Sequence, residues 1–127
     1  MRTTIADMLA AARERLDRVD PEAAAAEVER GALLVDIRSE SQRASDGVVP
    51  GAIYHPRNVL EWRMDPESGA SDPVVGGLDR RVIVMCNEGY QSSLAAAALR
   101  DLGFGRATDL VGGYQAWRTS GLPVEPL

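Results

Sequence analysis

The sequence predicts an α/β fold in three layers, α/β/α, around a central parallel sheet of about five strands, an ordinary number for one sheet. Three observations predict it. Short apolar runs rich in Val, Ile and Leu recur at residues 32–37 and 82–85, as in strands buried on both faces. Between and beyond them lie stretches with helical spacing and capping residues. The joints are short Gly- and Pro-containing turns, so strands and helices alternate along the chain.

Taken in order, Ile5, Met8, Leu9, Ala12 and Leu16 fall on one stripe of a helix, the pattern of an amphipathic helix docking on something apolar. Residues 1–17 are therefore read as an N-terminal amphipathic helix and residues 18–127 as the domain proper. The stripe has two candidate partners, the domain itself or a second copy in a homodimer. A marginal strand is expected at Arg18-Val19. Asp20-Pro21 then supplies an N-cap and a first-turn proline, and Gly31 ends the helix. Residues 32–37 read as a buried strand. Ser39 and Gln42 have capping-box spacing for a short helix that Asp46-Gly47 closes, and Val49-Pro50-Gly51 turns into a brief strand at residues 52–54. Asn58 and Glu61 repeat the capping spacing ahead of a short helix through Leu60 and Trp62. Residues 65–73 form a polar loop broken by Gly and Pro. After the strand at 82–85, Ser92 or Ser93 is read as the cap of a helix running to about Leu102. A short strand at 108–111, a Gly112-Gly113 turn and a last helix at 114–118 complete the order.

Composition narrows the function classes. The 127 residues suit one domain, able to bury roughly 65–70% of the surface its unfolded chain exposes. The formal charge of −5 is spread along the chain with no long basic run, which argues against a nucleic-acid partner, since phosphate neutralisation needs a clustered basic footprint. No stretch of about 18 apolar residues points to a membrane, and residues 1–7 lead into charged residues rather than an apolar leader. With a single cysteine no internal disulfide forms, and a free thiol suits a reducing compartment. The chain reads as soluble and cytoplasmic. The lone His55 has no ligand pattern around it, so neither a metal nor another cofactor is expected; it is read as turn polarity.

That cysteine, Cys86, directly follows the apolar run Val82-Ile83-Val84-Met85 and opens the segment Cys86-Asn87-Glu88-Gly89-Tyr90-Gln91-Ser92-Ser93. At such a strand-to-helix turn, loop and helix N–H groups converge and favour negative charge. Thiolate is the form this setting stabilises.

Four segments together resemble the rhodanese-like domain family over nearly the whole chain from about Val19 to Pro123. They are Leu34-Val35-Asp36-Ile37-Arg38 with Ser39 and Glu40, Gly47-Val48-Val49-Pro50-Gly51-Ala52, residues 82–93, and Gly112-Gly113-Tyr114-Gln115-Ala116-Trp117 ahead of Gly121-Leu122-Pro123. The resemblance implies a five-stranded parallel sheet flanked by helices, with a catalytic cysteine, here Cys86, opening a six-residue loop, here residues 86–91. It implies sulfur transfer: Cys86 takes a sulfane sulfur from a small-molecule donor, becomes a persulfide, and passes the sulfur to cyanide, a thiol or a sulfur-accepting protein. N–H groups from Asn87, Glu88, Gly89, Tyr90, Gln91 and Ser92 would line the binding loop and stabilise the anionic sulfur. Two departures stand out. Val48 occupies a position where the family often has histidine, and the loop carries Glu88 with no Arg or Lys, which counts against a dianionic donor such as thiosulfate.

Other polar residues have structural readings. Glu88 is either a solvated loop charge or a selector against anionic donors. Asp36 and Arg38 pair with each other or fix nearby backbone, a reading preferred over contact with substrate. Arg57 and Arg63, flanking Trp62, are read as a solvated face in preference to a source of positive charge for the cleft, and Trp62 packs under the pocket or overhangs it. A phosphatase or arsenate reductase would want Arg six residues after the cysteine, where Ser92 stands. A disulfide oxidoreductase would want a second thiol. A non-catalytic interaction or redox-sensing module is the remaining alternative.

Overall fold

In the computed structural model, which describes residues 1–127, the apolar run Val82–Met85 is a strand (β3) buried along its whole length. Leu33–Asp36 (β1) and Ala107–Asp109 (β4) pair with it on either side, and Ile53–Tyr54 (β2) pairs with the outer edge of β1. All pairings are parallel, in the order β2-β1-β3-β4. The expected fifth strand is reduced to a single parallel bridge, Val19 to Leu110. It goes no further because Asp20 caps a helix whose first residue is Pro21, and proline has no N–H to give a ladder.

Strand side chains alternate between faces, and that alternation makes two cores. Val82, Val84 and Cys86 join Leu33, Val35 and Ile37 on one face, covered by Leu60 and Met64 of helix α4 (Leu60–Met64) and Ala95, Ala96 and Leu99 of α5 (Gln91–Asp101). Leu34, Ile83 and Met85 meet Ala24 of α2 (Pro21–Glu29) and Tyr114 and Trp117 of α6 (Gly113–Thr119) on the other. The result is the expected three-layer arrangement. The short helix α3 (Glu40–Asp46) starts at the Ser39 and Gln42 capping box.

The N-terminal helix α1 (Ile5–Glu14) packs on α5. Its stripe docks only in part: Ala12 is buried, while Ile5 and Met8 are 66% and 49% exposed, and Leu16 lies beyond the helix end. Polar contacts do much of the fastening, including Arg15 with Asp101 at 2.6 Å.

Three local readings are corrected. Asn58 makes no cap, because a 3-10 turn at Arg57–Val59 runs directly into α4; Glu61 is instead paired with Arg57 at 2.7 Å. Ser92 and Ser93 do not cap α5, whose N-cap is Tyr90 without a side-chain bond. His55 is buried rather than a surface turn residue, with Nε2 2.9 Å from Asp72 Oδ2.

Candidate active site

The chain leaves β1 toward β2 on one side and returns to place β3 and β4 on the other. Where strand order diverges in this way, the segments after neighbouring strands separate and leave a crevice at their carboxyl ends. A cleft of about 470 Å³ lies there. Ile37, Arg38 and Ser39, which follow β1, form one wall, and Cys86, Asn87, Glu88, Tyr90 and Gln91, which follow β3, form the other.

Cys86 continues the inward row of Val82 and Val84, which is why the thiol is only 7% exposed yet lines the cleft. The chain then wraps around it. Gly89 N–H and Ser92 N–H both donate to Sγ, at 3.1 and 3.3 Å. The N–H groups of Asn87, Glu88, Tyr90 and Gln91 donate to no atom of the chain. Main-chain donors aimed at one sulfur grow stronger as it takes on negative charge.

Two glycines let the loop close. Gly89 has φ +88°, and a Cβ there would sit 2.7 Å from Gly112 N. Gly113 has φ +61° and leaves no room for a Cβ against Cys86 O, 2.5 Å away. The close approach lets the first N–H groups of α6 serve the loop: Tyr114 N donates to Cys86 O at 2.9 Å and Gln115 N to Asn87 O at 3.1 Å. Gln115 Nε2 also holds Asn87 Oδ1 at 3.0 Å.

Behind the loop lies a buried carboxylate. Asp109, at the end of β4, is fully buried. It accepts from Ser92 Oγ at 2.7 Å and Ser93 Oγ at 2.8 Å, and from Arg18 through two nitrogens at 2.8 and 3.2 Å. The demand of this carboxylate for donors turns both hydroxyls away from capping.

The loop residues singled out from the sequence thus surround one thiol, although their side chains differ in placement. Glu88 and Tyr90 are exposed at the rim, the latter by 61%. Asn87 is held by Gln115, and Ser92 contributes its N–H while its hydroxyl faces Asp109. On the opposite wall, Arg57 lines the cleft, the less favoured of its two sequence readings, and so does Arg38; both are paired with carboxylates, Glu61 and Asp36. Arg38 is 2% exposed, pairs with Asp36 at 2.9 Å, donates to Gly47 O at 2.8 Å and lies 3.7 Å from the centre of the Tyr114 ring. Its Nη1 has no partner. The ring is a neutral face for the guanidinium, and burial, the first cause, raises the pKa of Tyr114 further above its ordinary 10.0. Arg63, by contrast, turns to Ala70 O, and Trp62 is 61% exposed.

A parallel sheet between helix layers, with a lone cysteine in an amide-lined turn at a strand end, is the architecture of a small α/β protein built around one thiol. The rhodanese-like domain family matches residues 20–120, and the chain belongs to it. A sulfurtransferase of Allochromatium vinosum is 36% identical over 92 residues, 72% of this chain and 77% of that protein. The thiosulfate sulfurtransferase GlpE of Pseudomonas fluorescens is 40% identical over 103 residues, 81% of this chain and 85% of that one. Among solved structures, a protein of unknown function from Rhodopseudomonas palustris, described as a possible tyrosine phosphatase, superposes with a TM-score of 0.89 at 30% identity, covering 98% of this chain and 96% of that one. The rhodanese-like domain of Anabaena protein Alr3790 gives a TM-score of 0.68 at 26% identity, over 87% of this chain and 79% of its own.

Proposed function

We propose that the chain is a sulfurtransferase working through a persulfide on Cys86. The carrying observation is the pair of N–H groups, from Gly89 and Ser92, directed at Sγ of the one thiol in the chain. Similarity to proteins named sulfurtransferase over most of the chain supports the same reading.

In the first half-reaction the Cys86 thiolate attacks the outer sulfur of a sulfane donor. The new S–S bond forms as the donor's S–S bond breaks, and the leaving group departs with that electron pair; from thiosulfate it is sulfite. The product is a cysteine persulfide anion, stabilised by loop N–H groups. In the second half, cyanide or a thiolate attacks the terminal sulfur, and Cys86 is released as thiolate. No net oxidation or reduction of the protein occurs, and no side-chain base is required. Arg38 and Arg57 in the cleft wall are each paired with a carboxylate, Asp36 and Glu61, and so add little net charge toward an anionic donor, while Glu88 at the rim opposes one. The reaction needs a reduced thiol, so we place it in the cytoplasm.

Phosphatase chemistry fits the site less well. The residue six places after Cys86 is Ser92, whose hydroxyl is committed to Asp109, so the loop has no guanidinium fork for a phosphoryl group. A purely non-catalytic module would leave the directed amides without a purpose.

The test is intact-mass measurement after incubation with thiosulfate and, separately, with an aryl thiosulfonate, from which the leaving group is the sulfinate. The expected result is a gain of one sulfur on Cys86, lost on adding cyanide with release of thiocyanate. No gain from any donor would overturn the reading.

A further inference from the structure

Gly89 faces two ways. Its N–H donates to Cys86 Sγ, while its carbonyl receives no main-chain N–H. That carbonyl has two charged donors instead: Arg13 Nη2 at 2.8 Å and Arg18 Nη2 at 2.9 Å. Both come from the segment before residue 20, where the family match begins. Arg13 is on α1 and Arg18 in the link to α2, 76 and 71 positions from Gly89.

Each arginine is itself fixed. Arg13 Nε donates to Ser93 Oγ at 3.1 Å, and its guanidinium lies 5.7 Å from the centre of the Tyr90 ring. Arg18 is paired with Asp109, the carboxylate that also receives Ser92 and Ser93. The first turn of α5 and the peptide before it are therefore gripped from the side away from the thiol.

We propose that Arg13 and Arg18 are positioning residues for sulfur transfer: by holding Gly89 O from behind, they fix the Gly89–Tyr90 peptide, which lies between the two peptides whose N–H groups, from Gly89 and Ser92, meet Cys86 Sγ. The inference rests on the sulfurtransferase reading. Glycine rotates more freely than any other residue, so a loop pivoting on Gly89 needs an outside restraint to keep its amides directed. A trans peptide sets N–H and C=O on opposite sides; gripping Gly89 O therefore turns the Tyr90 N–H, which has no partner in the chain, away from the arginines. The N-terminal segment is in this view part of the site and not an appendage to it.

The test compares the full-length protein with Arg13→Ala and Arg13→Lys, which spare the buried Arg18–Asp109 pair. Sulfur loading from thiosulfate is followed by rapid-quench mass measurement across donor concentrations. Amide NMR resonances of Gly89 and Ser92 are recorded before and after loading. For Arg13→Ala the maximal loading rate is expected to fall about tenfold, less than the 10²–10³ seen on deleting an anion-stabilising donor outright. The concentration for half-maximal rate should barely change, the Gly89 amide resonance should move, and Arg13→Lys should recover most of the rate. An Arg13→Ala protein that loads at the wild-type rate, keeps the Gly89 resonance in place, or loses rate only in proportion to its folded fraction would overturn the proposal. Failure of the wild-type protein to load sulfur would instead bring down the sulfurtransferase reading on which it rests.

Discussion

Ser92 Oγ donates to Asp109 Oδ2 across 2.7 Å, so the first turn of α5 is tied to the end of β4 through a carboxylate with no contact with water. The same Ser92 presents its N–H to Cys86 Sγ. One residue thus couples the sheet to the sulfur, and the orientation of the loop depends on a charge on its far side.

Asp109→Asn removes the counter-charge of Arg18 and weakens the acceptor shared by two serines. Breaking a buried ion pair by losing one partner costs about 3–5 kcal/mol; because Arg18 keeps partial access to water, a loss of roughly 2–3 kcal/mol is expected. Urea unfolding measures it. Sulfur loading should slow as well, and an unchanged urea midpoint would contradict the account of the pair.

Gly89→Ala forces a side chain into left-handed backbone and against Gly112 N. The conformation alone costs about 1–2 kcal/mol, and relief of the contact must shift the loop away from the Gly112-Gly113 turn. We expect loading to fall at least tenfold while circular dichroism remains that of a folded protein.

Glu88→Lys reverses the one charge in the loop. Replacing repulsion by attraction at an exposed rim should raise kcat/KM for dianionic thiosulfate relative to a monoanionic aryl thiosulfonate by roughly 2–5-fold at low salt. The gain should shrink in high salt, and an unchanged ratio would show that Glu88 does not select the donor.

Asp72 titrates below its ordinary 3.8, chiefly because Val74 N–H binds it and further because His55 does. A carboxylate depressed by folding stabilises the protein above its unfolded value and ceases to do so as pH falls through the folded one. Asp72→Asn should therefore be less stable than the wild type at pH 7, and the gap should close as pH drops from about 5 to below 3. Urea midpoints across that range check it, and a gap independent of pH would refute the assignment.

What was legible in the sequence follows from what acts locally. Residues 33–35 and 82–85 declared themselves as strand because a strand covered on both faces is apolar along its covered length. Asp20-Pro21 and the Ser39–Gln42 box marked helix starts because caps act within four residues. The position of Cys86 at a strand end was readable for the same reason. The cleft's other wall was legible only as the weaker of two alternatives: Arg38 and Arg57 follow β1 and β2, and only the crossing of the chain brings them beside the thiol. Ser92 and Ser93 had the composition of caps, but the acceptor that claims them lies 17 and 16 positions away, respectively. The partnership of His55 with Asp72, also 17 positions apart, was equally invisible. Nor did the stripe on α1 disclose the polar contacts that Arg13 and Arg15 beside it make with α5.

The cleft holds its sulfur at the floor of a single space of about 470 Å³, and the chain carries no other cysteine. In the persulfide cycle proposed above, donor and acceptor react in turn with that one sulfur, so turnover is expected to be a ping-pong cycle that stores at most one sulfur equivalent between visitors, with parallel double-reciprocal plots at different acceptor levels.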